Sequence, residues 1–242
     1  MNVAGVELET DAIAGAEPAL VFLHEGLGSV ALWRDFPARL AAATGRRALI
    51  YSRAGHGFSD LPDGDRTPRF MHEEALDVLP ELLRVAGIER PVLVGHSDGG
   101  SIALIHAGAH PVSGLVLLAP HVFVEDLSVA SIQEARTTFE TTDLGERMAR
   151  YHRDAERTFR LWNDIWLAPE FRSWNIEDVL SGVTAPTLLI QGANDQYGTL
   201  AQIEAIERGV QGPVQRAVLG CRHAPHLEAP DETLAAAAAF LR

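Results

Sequence analysis

The chain has 242 residues, of which 47% are hydrophobic and 22% charged, and a formal net charge of −13. Such a composition suits one large α/β domain, or one with an insertion, and the acidic balance argues against nucleic acid or an anionic membrane surface as a partner. Cys221 is the single cysteine, so no internal disulfide forms; with no signal-like N-terminus and no apolar run near ~20 residues, a cytoplasmic protein is expected, with a homodimer left open.

In chain order, residues 5–10 and 19–24 read as strands and predict an antiparallel hairpin at a sheet edge. A helical pattern follows at 33–43, a strand at 48–52 and a helix at 71–86. The run Pro91-Val92-Leu93-Val94 reads as a buried strand and 101–109 as a helix. A further strand is expected at 114–119. From 122 to 182 no buried-strand run appears; the segment is charged, helical in pattern and contains Trp162, Trp166 and Trp174. It is too long for a simple crossover and reads as a helical cap. Strands at 187–191 and 215–219 then alternate with helices at 200–209 and 231–241. The central strands lack polar alternation, as expected for strands covered on both faces. The order predicts a doubly wound, mostly parallel α/β sheet, with a core of residues 1–121 and 183–242 and a small cap at 122–182.

Gly95-His96-Ser97-Asp98-Gly99-Gly100 lies between an apolar strand and a helix. A G-x-S-x-G motif in that setting is a nucleophile elbow, with the serine hydroxyl held on a strained turn near a helix N-terminus. A hydroxyl at neutral pH needs a base, and the base an orienting acid, in the chain order Ser, Asp or Glu, His. Asp195 is the first carboxylate beyond the 187–191 strand, and His223 stands just beyond the last strand. His226 is the rival base. Glu125 and Asp126 are the rival acids, several residues beyond the 114–119 strand. An oxyanion hole is expected from two backbone N–H groups. One belongs to Asp98 and the other to the loop after residues 19–24, where His24-Glu25-Gly26 makes Gly26 the donor.

These segments resemble the α/β-hydrolase superfamily over essentially the whole chain. The resemblance is carried by His24-Glu25-Gly26-Leu27-Gly28-Ser29, by Ser52-Arg53-Ala54-Gly55-His56-Gly57-Phe58-Ser59, by the elbow, by Gly192-Ala193-Asn194-Asp195 and by His223-Ala224-Pro225-His226-Leu227-Glu228-Ala229-Pro230. It implies the α/β-hydrolase fold and His223 as base. Glu25 departs from the family pattern by replacing a glycine. Its carboxylate either turns to a loop backbone or an arginine, or acts on the substrate. Ser97-Asp98-Gly99-Gly100 is similar to the elbow of valacyclovir hydrolases, which implies recognition of a substrate α-amino group by Asp98. A carboxylate on the elbow helix N-terminus is the alternative.

Trp33, His121, Phe123, Trp162, Trp166 and Trp174 are candidates for an apolar substrate pocket under the cap. The remaining histidines show no metal-ligand spacing, and no cofactor is implied. The expected activity is hydrolysis of a carboxylic ester of a small apolar or aromatic acid. Thioesters, amino-acid esters, amides and activated C–C bonds are alternatives on the same residues, because substrate choice lives in the cap. A non-catalytic ligand-binding protein on the same scaffold is the alternative of another class.

Overall fold

The computed structural model describes residues 1–242. Two short strands, β1 (Asn2–Val3) and β2 (Val6–Glu7), make a separate antiparallel ribbon. The main sheet holds β3 (Thr10–Ile13), β4 (Ala16–Leu23), β5 (Arg46–Tyr51), β6 (Val92–His96), β7 (Gly114–Leu118), β8 (Thr187–Gly192) and β9 (Val214–Leu219). Their spatial order is β3-β5-β4-β6-β7-β8-β9, and all pairs are parallel except β3 with β5.

The six predicted strands of the parallel sheet are present within a few residues. The predicted edge hairpin is not. β3 pairs with β5, Thr10 opposite Tyr51 and Ile13 opposite Ala48, while β4 lies on the other side of β5. The chain crosses the start of β5 at Gly15, whose Cα approaches the Arg46 backbone so closely that a Cβ would collide. Glycine permits that close crossing, which a Cβ would obstruct.

Helices cover both faces. α1 (Phe36–Thr44) follows β4. α2 (Phe70–Glu73) and α3 (Leu79–Val85) are joined by one π-helical turn at Glu74–Val78. α4 (Asp98–Ala109) follows β6. The stretch after β7 holds α5 (Asp126–Thr141), α6 (Leu144–Met148) and α7 (Ala155–Leu167), then 3₁₀ turns at Pro169–Ser173 and Glu177–Gly182. α8 (Ala201–Gly209), α9 (Pro225–Glu228) and α10 (Pro230–Phe240) complete the chain. No helix is long and apolar enough to cross a membrane.

Period-two alternation along the central strands divides the core. Leu20 and Phe22 of β4 and Val92 and Val94 of β6 pack with Trp33, Phe36 and Leu40, beside α10. Val21 and Leu23 of β4 and Leu93 of β6 point to the other face, against α2, α3, α4 and α8. Phe159, Trp162, Ile165 and Trp166 of α7 belong to that second cluster, so α7 is packed down onto the sheet domain. α7 is strongly amphipathic and starts at Asp154, whose carboxylate accepts the Arg157 N–H at 2.9 Å. That N-cap satisfies a donor left over at the helix start. Fully buried Asn163 ties α7 to α5, donating to the Ile132 carbonyl at 2.9 Å and accepting from Arg136 at 2.6 Å.

Candidate active site

The C-terminal ends of β4, β6, β8 and β9 meet at Ser97. Ser97 takes φ 52°, ψ −119°, a conformation costly for a residue with a side chain. The surroundings hold it there: its N–H donates to Leu118 O at 2.9 Å, and its carbonyl accepts from Gly100 N at 2.8 Å. Gly99 presses on the Leu23 carbonyl, where a Cβ would collide, and a Cβ on Gly95 would meet the Gly100 Cα at 2.7 Å. The two glycines flanking the serine are therefore demanded by backbone contact.

Ser97 Oγ lies 3.0 Å from His223 Nε2. His223 Nδ1 lies 2.8 Å and 2.9 Å from the two Asp195 oxygens. Asp195 also accepts from Tyr197 N at 2.8 Å and from Gln191 Nε2 at 2.7 Å. Burial resists its ionisation, but the His223 contact and the Tyr197 N–H together hold its carboxyl below the usual range. His96, inside the elbow, donates from Nε2 to the His223 carbonyl at 2.8 Å and so fixes the backbone of that loop. His226 is placed elsewhere. Its ring packs on Trp33 at 4.9 Å and Phe36 at 5.8 Å, and it makes no hydrogen bond with Asp195 or Ser97, which pair with His223. Glu125 binds Thr199 and Gln202, away from His223.

The backbone N–H groups of Gly26 and Asp98 donate to no protein acceptor. Gly26 has no room for a side chain, because its Cβ would overlap the Trp162 indole. The Gly26 carbonyl accepts from His56 Nε2 at 3.0 Å. His56 thereby gains a supporting place behind the loop.

A cavity of about 270 Å³ opens over Ser97. Of the expected substrate-binding residues, Glu25, Trp33, His121, Trp162 and Trp166 line it. Phe123 and Trp174 do not: Phe123 bridges Asn175 and its carbonyl accepts from Gln202, while Trp174 stacks on Phe171. Leu32, Ile132, Gln196 and Tyr197 line the cavity and were not singled out from sequence. Gln196 and Tyr197 had a sequence signal, directly following Asp195; the Tyr197 ring lies 4.8 Å from that of His223.

The two unusual carboxylates separate. Glu25 turns one oxygen to the Leu27 N–H and lines the cavity. Burial, then the neighbouring Asp98, pushes its pKa up. Asp98 is fully buried and does not line the cavity. Its side chain caps no helix N–H; it accepts from Trp166 Nε1 at 3.2 Å, and its other oxygen has no partner. Burial pushes Asp98 up as well, against the pull of Arg53 and Arg66.

Burial pushes eight histidines down: His24, His56, His72, His96, His106, His121, His152 and His226. His121 and His226 fall to about 3, where charge on His223 adds to burial, and His106 to about 4. Each takes up a proton on unfolding below the free imidazole value of about 6.5. Stability from these groups is complete above that pH and is lost as pH falls toward 3. Glu25, Glu74 and Asp98, pushed up by burial, act with the opposite sign but are fewer. The melting temperature is therefore expected to drop between pH 7 and pH 5, with net proton uptake on unfolding. A flat or rising melting temperature over that range contradicts the neutral-histidine interior.

A seven-stranded sheet with one antiparallel edge strand, a serine at a strained strand–helix elbow, and a histidine and an aspartate on later strand ends define the scaffold of a hydrolase. A sequence model of the alpha/beta hydrolase family matches residues 20–237, and the chain belongs to that family. Relatives include the mouse sn-1-specific diacylglycerol lipase ABHD11, 26% identical over 93% of this chain and 81% of that protein. The mouse serine hydrolase BPHL is also 26% identical, over 95% of this chain and 81% of its own. Among solved structures, the enol-lactonase of Burkholderia xenovorans superposes with a TM-score of 0.78 at 22% identity, covering 99% of this chain and 98% of that one.

Proposed function

We propose that the chain is a serine hydrolase cleaving carboxylic esters of small, apolar or aromatic acids through an acyl-enzyme. The observation that carries this reading is the continuous hydrogen-bonded chain Ser97–His223–Asp195 at the floor of a cavity. Ser97 Oγ attacks the ester carbonyl while His223 Nε2 takes its proton. Asp195 holds His223 Nδ1–H and stabilises the imidazolium. The carbonyl oxygen, now an anion, is held by the N–H groups of Gly26 and Asp98. His223 then protonates the departing alkoxide, leaving Ser97 acylated. A water, deprotonated by His223, attacks the acyl carbonyl; the acid leaves and Ser97 regains its proton.

The size and walls of the cavity support a small acid. About 270 Å³ lies at or just below the usual range for ligand sites. Leu32, Ile132, Trp162 and Trp166 supply apolar wall. Hydrolases among the relatives, including the esterase of Exiguobacterium antarcticum at the level of fold, are in keeping with this chemistry. The test is turnover of a panel of p-nitrophenyl acetate, butyrate and phenylacetate, with the matching thioesters and anilides, by wild type and Ser97→Ala. Ester cleavage that vanishes in the variant is expected. Absence of ester cleavage by the wild type contradicts the reading.

No Arg or Lys lines the cavity, whereas Glu25 does. The site therefore favours neutral or ammonium-bearing esters over carboxylate-bearing ones. Glu25→Gln is expected to lower kcat/KM about tenfold for an alanyl ester while leaving the matching propionyl ester near wild type, the loss of one charge-assisted hydrogen bond. Equal effects on both esters assign Glu25 to holding the loop through Leu27 N–H. Asp98, sealed behind Trp166, is given no part in this selection.

A further inference from the structure

The loop His24-Glu25-Gly26 carries one of the two proposed oxyanion donors, and a buried guanidinium lies behind it. Arg53, 2% exposed, donates from one terminal nitrogen to His24 O at 2.5 Å and from the other to Glu25 O at 3.0 Å. Its backbone N–H donates to His24 Nε2 at 3.0 Å. That bond makes His24 Nδ1 the protonated nitrogen, and Nδ1 in turn donates to Glu25 O at 2.6 Å. Gly28 N adds a further donor to Glu25 O at 3.1 Å.

The geometry of the peptide bond gives these contacts a consequence at the site. In a trans peptide the carbonyl and the following N–H point in opposite directions. Holding the Glu25 carbonyl against Arg53 therefore aims the Gly26 N–H away from Arg53. Holding the His24 carbonyl fixes the preceding peptide plane too. The planar guanidinium fork places one terminal nitrogen on each of the two consecutive carbonyls, a geometry that one ammonium nitrogen does not reproduce. On the far side, His56 Nε2 holds the Gly26 carbonyl. The Gly26 N–H is left without a protein acceptor, held in orientation by its neighbours. A donor fixed before reaction stabilises the tetrahedral anion without reorganisation at the moment of attack.

We propose that Arg53 is a positioning residue: by gripping the His24 and Glu25 carbonyls it orients the Gly26 N–H toward the oxyanion formed at Ser97. This inference rests on the serine-hydrolase reading. Arg53 touches no reacting atom, and its effect falls on the transition state rather than on substrate binding.

The experiment compares wild type, Arg53→Met and Arg53→Lys with p-nitrophenyl butyrate and with a phenyl trifluoromethyl ketone, whose adduct with serine mimics the tetrahedral anion. Arg53→Met is expected to lower kcat about a hundredfold, the scale of losing one oxyanion donor. KM should stay within about threefold. Affinity for the trifluoromethyl ketone should fall in step with kcat/KM. Arg53→Lys, which keeps the charge and one of the two bonds, should recover part of both losses and guards against misfolding of the methionine variant. Unchanged kcat in Arg53→Lys and Arg53→Met overturns the proposal, as does a loss confined to KM. A wild type that neither cleaves the ester nor binds the ketone overturns the serine-hydrolase reading itself, before any Arg53 variant is compared.

Discussion

Ser97→Ala is expected to reduce ester turnover by roughly 10⁴-fold or more while leaving the protein folded. The hydroxyl makes a single hydrogen bond, to His223, so its removal strands no other polar group. The strained backbone is set by the contacts around the elbow, and alanine meets the same φ cost as serine. His223→Ala is expected to cost as much, because the two residues act as one unit. His226→Ala gives the contrast. Its ring is packed against Trp33, Phe36 and His96, so it should lower the melting temperature and retain most activity. Steady-state kinetics of the three variants beside their melting curves check the assignment. Activity in His223→Ala together with its absence in His226→Ala would falsify it.

Asp195→Asn carries the second large effect, about 10⁴-fold in kcat. Asp195 accepts from Tyr197 N and Gly198 N with one oxygen and from Gln191 with the other, while His223 Nδ1 lies against both. An asparagine keeps its carbonyl toward the two backbone donors, and its NH₂ then takes the other place. Gln191 Oε1 has no partner, and a flip of that amide satisfies the new NH₂ at the cost of the 3.3 Å bond from Gln191 Nε2 to Gly198 O. The same NH₂ faces His223 Nδ1 and forces that nitrogen to accept. The proton then sits on Nε2, where it blocks abstraction from Ser97. The variant is thus expected to fold normally and bind substrate with little change in KM. Loss should be relieved at alkaline pH only where hydroxide can replace the base. A kcat near wild type across the pH range would show that His223 is oriented by something other than Asp195.

Much of this arrangement was legible in the residues because each signal was local. β6 is five buried residues, and the elbow follows directly, so strand, turn and helix could be read from one stretch. Asp195 and His223 stand at the ends of β8 and β9, where short apolar runs fix the boundary. The edge strand was misplaced because β3 is four residues with little buried apolar surface, and its partner β5 lies over thirty residues on in the chain. Asp98 and Glu25 stand one residue from the proposed nucleophile and from the proposed Gly26 donor, yet only Glu25 lines the cavity. That division depends on Trp166 of α7 reaching Asp98, a contact no short motif contains. Arg53 belongs to the Ser52–Ser59 turn, but its bonds to His24 and Glu25 cross from the end of β5 to the end of β4. Pairing between strand ends is set by sheet order, which the linear pattern leaves open.

The most direct test of the central claim is labelling with a fluorophosphonate probe followed by peptide mapping. An activated serine attacks phosphorus and keeps the adduct, whereas an ordinary buried hydroxyl does not react. The account predicts stoichiometric modification on the peptide containing Ser97, absent in Ser97→Ala, strongly slowed in His223→Ala, and suppressed by p-nitrophenyl butyrate. No labelling of the folded wild-type protein, or labelling at another residue that persists in Ser97→Ala, would contradict it.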